Sequence, residues 1–241
     1  MSLWHYAAAV RLIHGIVCRA VIGTFVLVVD GGRVERPRAT LTDSRVGEVV
    51  ATSIAEFEAQ SVTLHQIPPL GALVRVRVDG GGAIYGVVAG AQTVGVDAGV
   101  RPVPRGRDGC EDAEIYRDNP DLAYVLRTSF QCLVVGYGVG GAIYYHLPAA
   151  PAPIHYSVLA CPPNECEQFS ASLAYFRVIL AARNAPIEEV LAAHIRFLAS
   201  SRRDQARAFC VRAGREVALL LRADHVRAAT ILQHIRPALT P

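Results

Sequence analysis

The run Leu73-Val74-Arg75-Val76-Arg77-Val78 alternates aliphatic and charged residues. Successive side chains of a strand point to opposite faces, so this period places Val74, Val76 and Val78 on a buried face and Arg75 and Arg77 on a wet one. Asp79-Gly80-Gly81-Gly82 follows at once, with residues that tolerate the positive φ of a tight reversal. Ala83–Val94 then reads as a long return strand, with Gly86 and Gly90 at positions suited to bulges or sharp corners. A hairpin of this kind commits the chain to an antiparallel sheet.

The surrounding segments extend that sheet. Arg45–Ser53 and Glu56–Leu64 read as two strands joined by a tight connection at Ile54. Gln131–Tyr137 and Ala142–Leu147 form a closing hairpin, Pro148–Pro153 a Pro/Ala linker, and His155–Ala160 one more short strand. Many short, Gly-broken strands at close spacing favour a small barrel over a sandwich. Val100–Gly109 is a loop rich in Pro, Arg and Gly. Asn119-Pro120-Asp121 opens a short helix with Leu122, Val125, Leu126 and Ser129 on one face.

From Pro163 the period changes. Phe169, Leu173, Phe176 and Leu180 fall on one helical face, and Pro186 starts a second helix carrying Ile187, Val190, Leu191, Ile195 and Leu198. Asp204–Ala213, Arg215–Arg222 and His225–Ile235 read as further helices, punctuated by Gly214 and Asp224. The expected fold class is α+β: a small antiparallel β-barrel over 44–160 with a helical insertion, then a helical bundle over 161–241.

Residues 1–43 are an extension whose status the sequence leaves open. Tyr6–Val29 is largely apolar, but Arg11, His14 and Arg19 interrupt it. Two arginines at membrane depth would cost about 2.5 kcal/mol or more each, so no integral span is expected; a membrane-surface segment, an anchor despite that cost, and an over-called translation start are the alternatives. Cys18, Cys110, Cys132, Cys161, Cys166 and Cys210 are too dispersed for a disulfide scaffold. They read as free thiols of a reducing compartment, which implies a cytoplasmic location.

The patches Val46-Gly47-Glu48-Val49-Val50, Glu56-Phe57-Glu58-Ala59-Gln60-Ser61, Pro69-Leu70-Gly71-Ala72-Leu73-Val74 and Ile84-Tyr85-Gly86-Val87-Val88 together resemble the HAS barrel. This is the small N-terminal barrel shared in outline by HerA-type DNA-translocating ATPases and ATP synthase subunits. Ile115-Tyr116, Asn119-Pro120, Leu133-Val134-Val135-Gly136-Tyr137, Leu147-Pro148 and Ala213-Gly214-Arg215-Glu216-Val217-Ala218 continue the likeness, which spans roughly 45–236. The resemblance implies a barrel that helps assemble a ring and contacts a partner protein. The motor of that family needs a P-loop lysine to reach the β- and γ-phosphates. All 24 basic residues here are arginine, no GxxxxGK[ST] occurs, and too few residues follow the barrel for a motor domain.

Other constellations have plainer readings. Gly136-x-Gly138-x-Gly140-Gly141 leads into Ala142-Ile143-Tyr144-Tyr145, a strand, so it reads as a hairpin turn and not as a phosphate loop. Cys161 and Cys166, with His146 and His155 upstream, have spacing that zinc tolerates, but Cys161–Cys166 also reads as a strand exit with Asn164 capping a helix. His194 and Cys210 read as core residues. Asp112 and Glu114 lie beside the loop with no base to complete a catalytic set. No catalytic residue, cofactor or metal is expected. Between Arg196 and Arg236 nine arginines stand against three acids. Within that excess, Arg202, Arg203, Arg207 and Arg212 are the candidate nucleic-acid contacts. The leading expectation is a non-catalytic interaction or assembly module with a protein partner or further copies of itself. The alternative is an accessory protein held to nucleic acid by its arginine-rich tail.

Overall fold

A computed structural model of the chain describes residues 44–97, 103–106, 109 and 111–235. The extension 1–43, part of the loop expected at Val100–Gly109, Cys18, Cys110 and Arg236 lie outside the described residues. The strands are β1 (Arg45–Thr52), β2 (Glu56–Ser61), β3 (Leu73–Val78), β4 (Gly82–Gly95), β5 (Leu126–Val139), β6 (Ala142–Tyr144) and β7 (Ser157–Ala160). The helices are α1 (Asp112–Asp118), α2 (Leu122–Val125), α3 (Pro163–Phe169), α4 (Phe176–Ala181), α5 (Ile187–Ser200), α6 (Ala206–Leu220) and α7 (His225–Ile235).

The sheet runs β2-β1-β7-β3-β4-β5-β6, and β2 also pairs with β5. That second pairing closes a six-stranded antiparallel barrel and leaves β6 as a short appendage on β5. The expected α+β barrel with helices after it is therefore what the chain forms. β5 is long because it pairs on both sides: Ser129–Leu133 face Glu56–Gln60 of β2 while the strand follows β4 over most of its length. The β4–β5 register shifts at Gly86 and at Gly90, the two positions that the sequence marks as corners. At Gly86 a Cβ would lie 2.8 Å from the Phe57 ring, so the missing side chain makes room for a large core residue.

The barrel has two buried faces along β4 and β5. Val49, Phe57, Val74, Val76, Ile84, Val88, Phe130 and Cys132 fill its interior. Tyr85, Val87, Leu133 and Val135 point outward and meet Phe169, Tyr175, Phe176, Ile179, Leu191 and Ile195 of the helical layer. Barrel and helices thus share one apolar seam and belong to one compact unit.

Several boundaries differ from the sequence reading. β2 ends at Ser61 because the Ser61 hydroxyl turns to the carbonyls of Thr63 and Gln66. Asp112–Asp118 is a helix, with Asp112 and Glu114 in its first turn near the positive end of its dipole. Asn119 closes that helix instead of opening the next, since its side-chain amide donates to the Ile115 carbonyl at 2.8 Å. α2 stops at Val125, and Leu126 and Ser129 belong to β5, where pairing with β4, and at Ser129 with β2 as well, outweighs a weak helical pattern. Phe169 and Leu180 sit on two helices, the first ending at a buried Ser170 whose hydroxyl donates back to the Cys166 carbonyl at 2.5 Å. Asn164 is not a cap: Pro162 occupies that position and Pro163 begins α3. α6 runs through Gly214 unbroken, because that glycine lets α7 approach; a Cβ there would lie 3.1 Å from Leu232.

Candidate functional site

The chemistry-bearing residues gather in three places: the seam between barrel and helices, a small network under the 62–70 loop, and the outer face of α6. At the seam, β3 aims Arg75 toward α3, where its guanidinium meets Glu165 at 2.5 Å. Glu165 also accepts the Tyr85 hydroxyl at 2.9 Å. Arg75 is therefore not on a wet face, as the alternation implied: α3 packs over it, and the two side chains are only 15% and 11% exposed. Burial, with the Glu165 carboxylate beside it, raises the Tyr85 pKa above the ordinary phenol value. A polar cleft of about 480 Å³ opens beside this trio, bounded by Arg77, Gly138, Ile143, Asn164 and Gln168.

Deeper in the seam, His194 is fully buried, a core histidine as its place on the apolar face of α5 suggested. Its Nδ1 lies 2.6 Å from the Gly71 carbonyl and its Nε2 2.9 Å from the Tyr175 hydroxyl. A carbonyl only accepts, so Nδ1 carries the proton and Nε2 accepts from Tyr175. Burial drives the imidazole down from its ordinary 6.5 to about 4. The unfolded chain consequently takes up a proton that the folded chain refuses between those values. The His194 contribution is complete above about pH 6.5 and is lost as pH falls toward 4, a change of roughly 3 kcal/mol. Urea melts across this window are expected to show that slope, and His194→Gln to flatten it. An unchanged slope in the variant would assign the titration elsewhere.

His65 sits in the 62–70 loop with φ of +63°, an uncommon conformation for a side-chain-bearing residue. Its Nε2 is 2.7 Å from the Tyr116 hydroxyl, and its backbone N–H donates to Thr128 Oγ1 at 2.9 Å. Thr93 Oγ1 lies 2.8 Å from Thr128 Oγ1 and 3.4 Å from His65 Nδ1. These bonds tie the loop to α1, β4 and β5. Above the loop, an apolar groove of about 420 Å³ is lined by Val46, Ile67, Pro68, Leu73 and Phe197.

The four arginines singled out in the tail do not share one role. Arg202 lies over the Phe209 ring, 4.0 Å from its centroid, and donates to the Leu198 carbonyl and the Ser170 hydroxyl. Arg212 donates to the Ser170 carbonyl at 2.8 Å and also lies above Phe209. Both thus close the C-terminal end of α3. Arg203 falls in a one-turn 3-10 segment before α6, and Arg207 is exposed on α6. Two further tail arginines are also engaged within the fold, Arg196 on the His234 carbonyl and Arg227 on Glu188, whose carboxyl it holds below the ordinary range.

Arg207, Arg215 and Arg222 remain on the surface with no ion-pair partner among the described residues. Beside them stand Val211, Leu219 and Val226, 43%, 67% and 79% exposed. Sequence reasoning saw the charge but missed these aliphatics, although the spacing of Val211 and Leu219 on a continuous α6 makes that pair countable. Cys161 and Cys166 are buried, and burial raises the Cys166 thiol to about 12. No group of three His, Cys, Asp or Glu able to hold a metal occurs among the described residues, nor is any helix there long and apolar enough to cross a membrane. The Gly140-Gly141 pair turns the β5–β6 hairpin with φ of +58° and +84°. No protein-family model matches this chain, and no curated protein matches it.

Proposed function

We propose that the chain is a non-catalytic binding and assembly module of the HAS-barrel type, acting on a protein partner in the cytoplasm. The observation that carries this reading is the aliphatic surface at the far end of the helical layer. Leu219 and Leu220 end α6, Val226 begins α7, and all three are exposed, while the opposite faces of both helices are packed against the core. Large aliphatic side chains exposed on adjoining helices, beside arginines with no ion pair among the described residues, support a surface that a partner covers. The resemblance to motor-associated barrels points the same way, and the chain carries no lysine to serve a P-loop of its own. Gentle purification from native extract, followed by light scattering, tests the proposal. The expected outcome is a stoichiometric complex or a defined oligomer; a lone monomer under those conditions overturns it.

The nucleic-acid reading keeps one specific support: Arg207, Arg215 and Arg222, which have no ion-pair partner among the described residues. It requires affinity for a DNA duplex that falls steeply as salt rises. Affinity absent at low salt removes it.

A further inference from the structure

The exposed stripe of α6 has a composition that specifies its occupant. Arg207, Val211, Arg215 and Leu219 recur at four-residue steps, so cation and aliphatic alternate one helical turn apart along one face. Ala208 and Ala218, also exposed, flank the stripe with small side chains that permit close approach. Arg222 and Val226 continue the same mixture beyond the helix end. We infer that this face binds an acidic amphipathic helix of a partner protein, one presenting carboxylates and aliphatic residues at alternate turns. The inference rests on the assembly reading above and names the chemistry of its partner.

Other occupants fit less well. A second copy in the antiparallel, two-fold arrangement would set Arg207 against Leu219 and Val211 against Arg215. No aliphatic meets an aliphatic in that register; moving the dyad onto Arg215 or Val211 brings aliphatics together but sets arginine against arginine, so every register leaves one set unsatisfied. Nucleic acid would satisfy the guanidinium groups but would leave Val211, Leu219 and Val226 facing phosphate and sugar. A partner helix with glutamates opposite the arginines and leucines opposite Val211 and Leu219 satisfies both sets, as flanking charges and aliphatic contacts do between paired helices.

The test uses the full chain and a fluorescein-labelled helical peptide of about eighteen residues, long enough to run the length of α6. The peptide carries Glu and Leu alternating at four-residue steps; a second peptide has Lys in place of Glu. Anisotropy should show saturable binding of the Glu/Leu peptide and none of the Lys/Leu peptide. Arg215→Glu and Leu219→Ser should each weaken binding by roughly tenfold or more. Both residues are exposed, so circular dichroism melts of the variants should match the parent; Val226→Ser serves if Leu219→Ser does not. Failure of the Glu/Leu peptide to bind, or indifference to both substitutions, overturns the inference. So does a DNA duplex, or a phosphatidylglycerol vesicle, that binds more tightly than the peptide and ignores Leu219→Ser. Light scattering on the protein purified gently from native extract separates the two levels. A complex that persists while the peptide fails refutes the α6 occupant alone, whereas a lone monomer refutes the module reading as well.

Discussion

Gly71→Ala is expected to destabilise the fold by about 4 kcal/mol or more, a large share of the roughly 5–15 kcal/mol that holds a typical domain together. The residue has φ of +80°, where any Cβ is strained, and that part costs roughly 1–2 kcal/mol. The larger part is collision. A Cβ there would overlap the His194 backbone nitrogen and lie 2.5 Å from the Ala193 carbonyl carbon, atoms of α5 that cannot rotate away. Relief requires α5 to withdraw from the barrel, which also breaks the bond between His194 and the Gly71 carbonyl. Gly80 provides the control. It has nearly the same φ, +79°, and a Cβ added there would meet no atom within 4 Å, so Gly80→Ala should cost only the backbone strain. Denaturant midpoints of the two variants check the difference. Equal losses would show that α5 yields without penalty.

Glu165→Ala should cost about 3–5 kcal/mol. It removes the carboxylate facing the Arg75 guanidinium and the acceptor of the Tyr85 hydroxyl, at a cleft wall where the two charged side chains are only 15% and 11% exposed. Removing one partner of a buried pair is worse than removing both, so Arg75→Met combined with Glu165→Leu should recover most of the ion-pair part of the loss, the Tyr85 hydroxyl still lacking its acceptor. Thermal melts of the single and double variants check this. A double variant as unstable as Glu165→Ala would mean that the pair fixes the position of α3 in a way that apolar packing cannot replace.

How far the fold is legible in the sequence depends on whether local signals agree with the tertiary outcome. The β3–β4 hairpin is readable because strict alternation runs directly into glycines that indeed adopt positive φ at Gly80 and Gly81. α5 is readable because its apolar face is long and continuous. The helix at Asp112–Asp118 is not, since it has no buried residue and so no apolar period to detect. Ser129 escapes a sequence reading because a strand buried on both sides by β2 and β4 need not look apolar. Arg75 escapes it for a related reason: alternation reports which side of a strand a residue takes, and says nothing of what later covers that side. Of the candidate site, the charge of the tail is visible in the sequence. The division of that charge is not, because Arg202 and Arg212 bind groups in segments some 30 to 40 residues upstream.

The placement of β7 has a consequence for the order in which the chain can assemble. Only four residues long, it lies between β1 and β3, and pairs with both. Its partners are made early, yet they have no direct pairing with each other across that gap. Until Ser157–Ala160 leave the ribosome, two strand edges stay unpaired and open to the wrong neighbour. Barrel completion is therefore a late, long-range event, of the kind that slows folding, and β7 is its keystone.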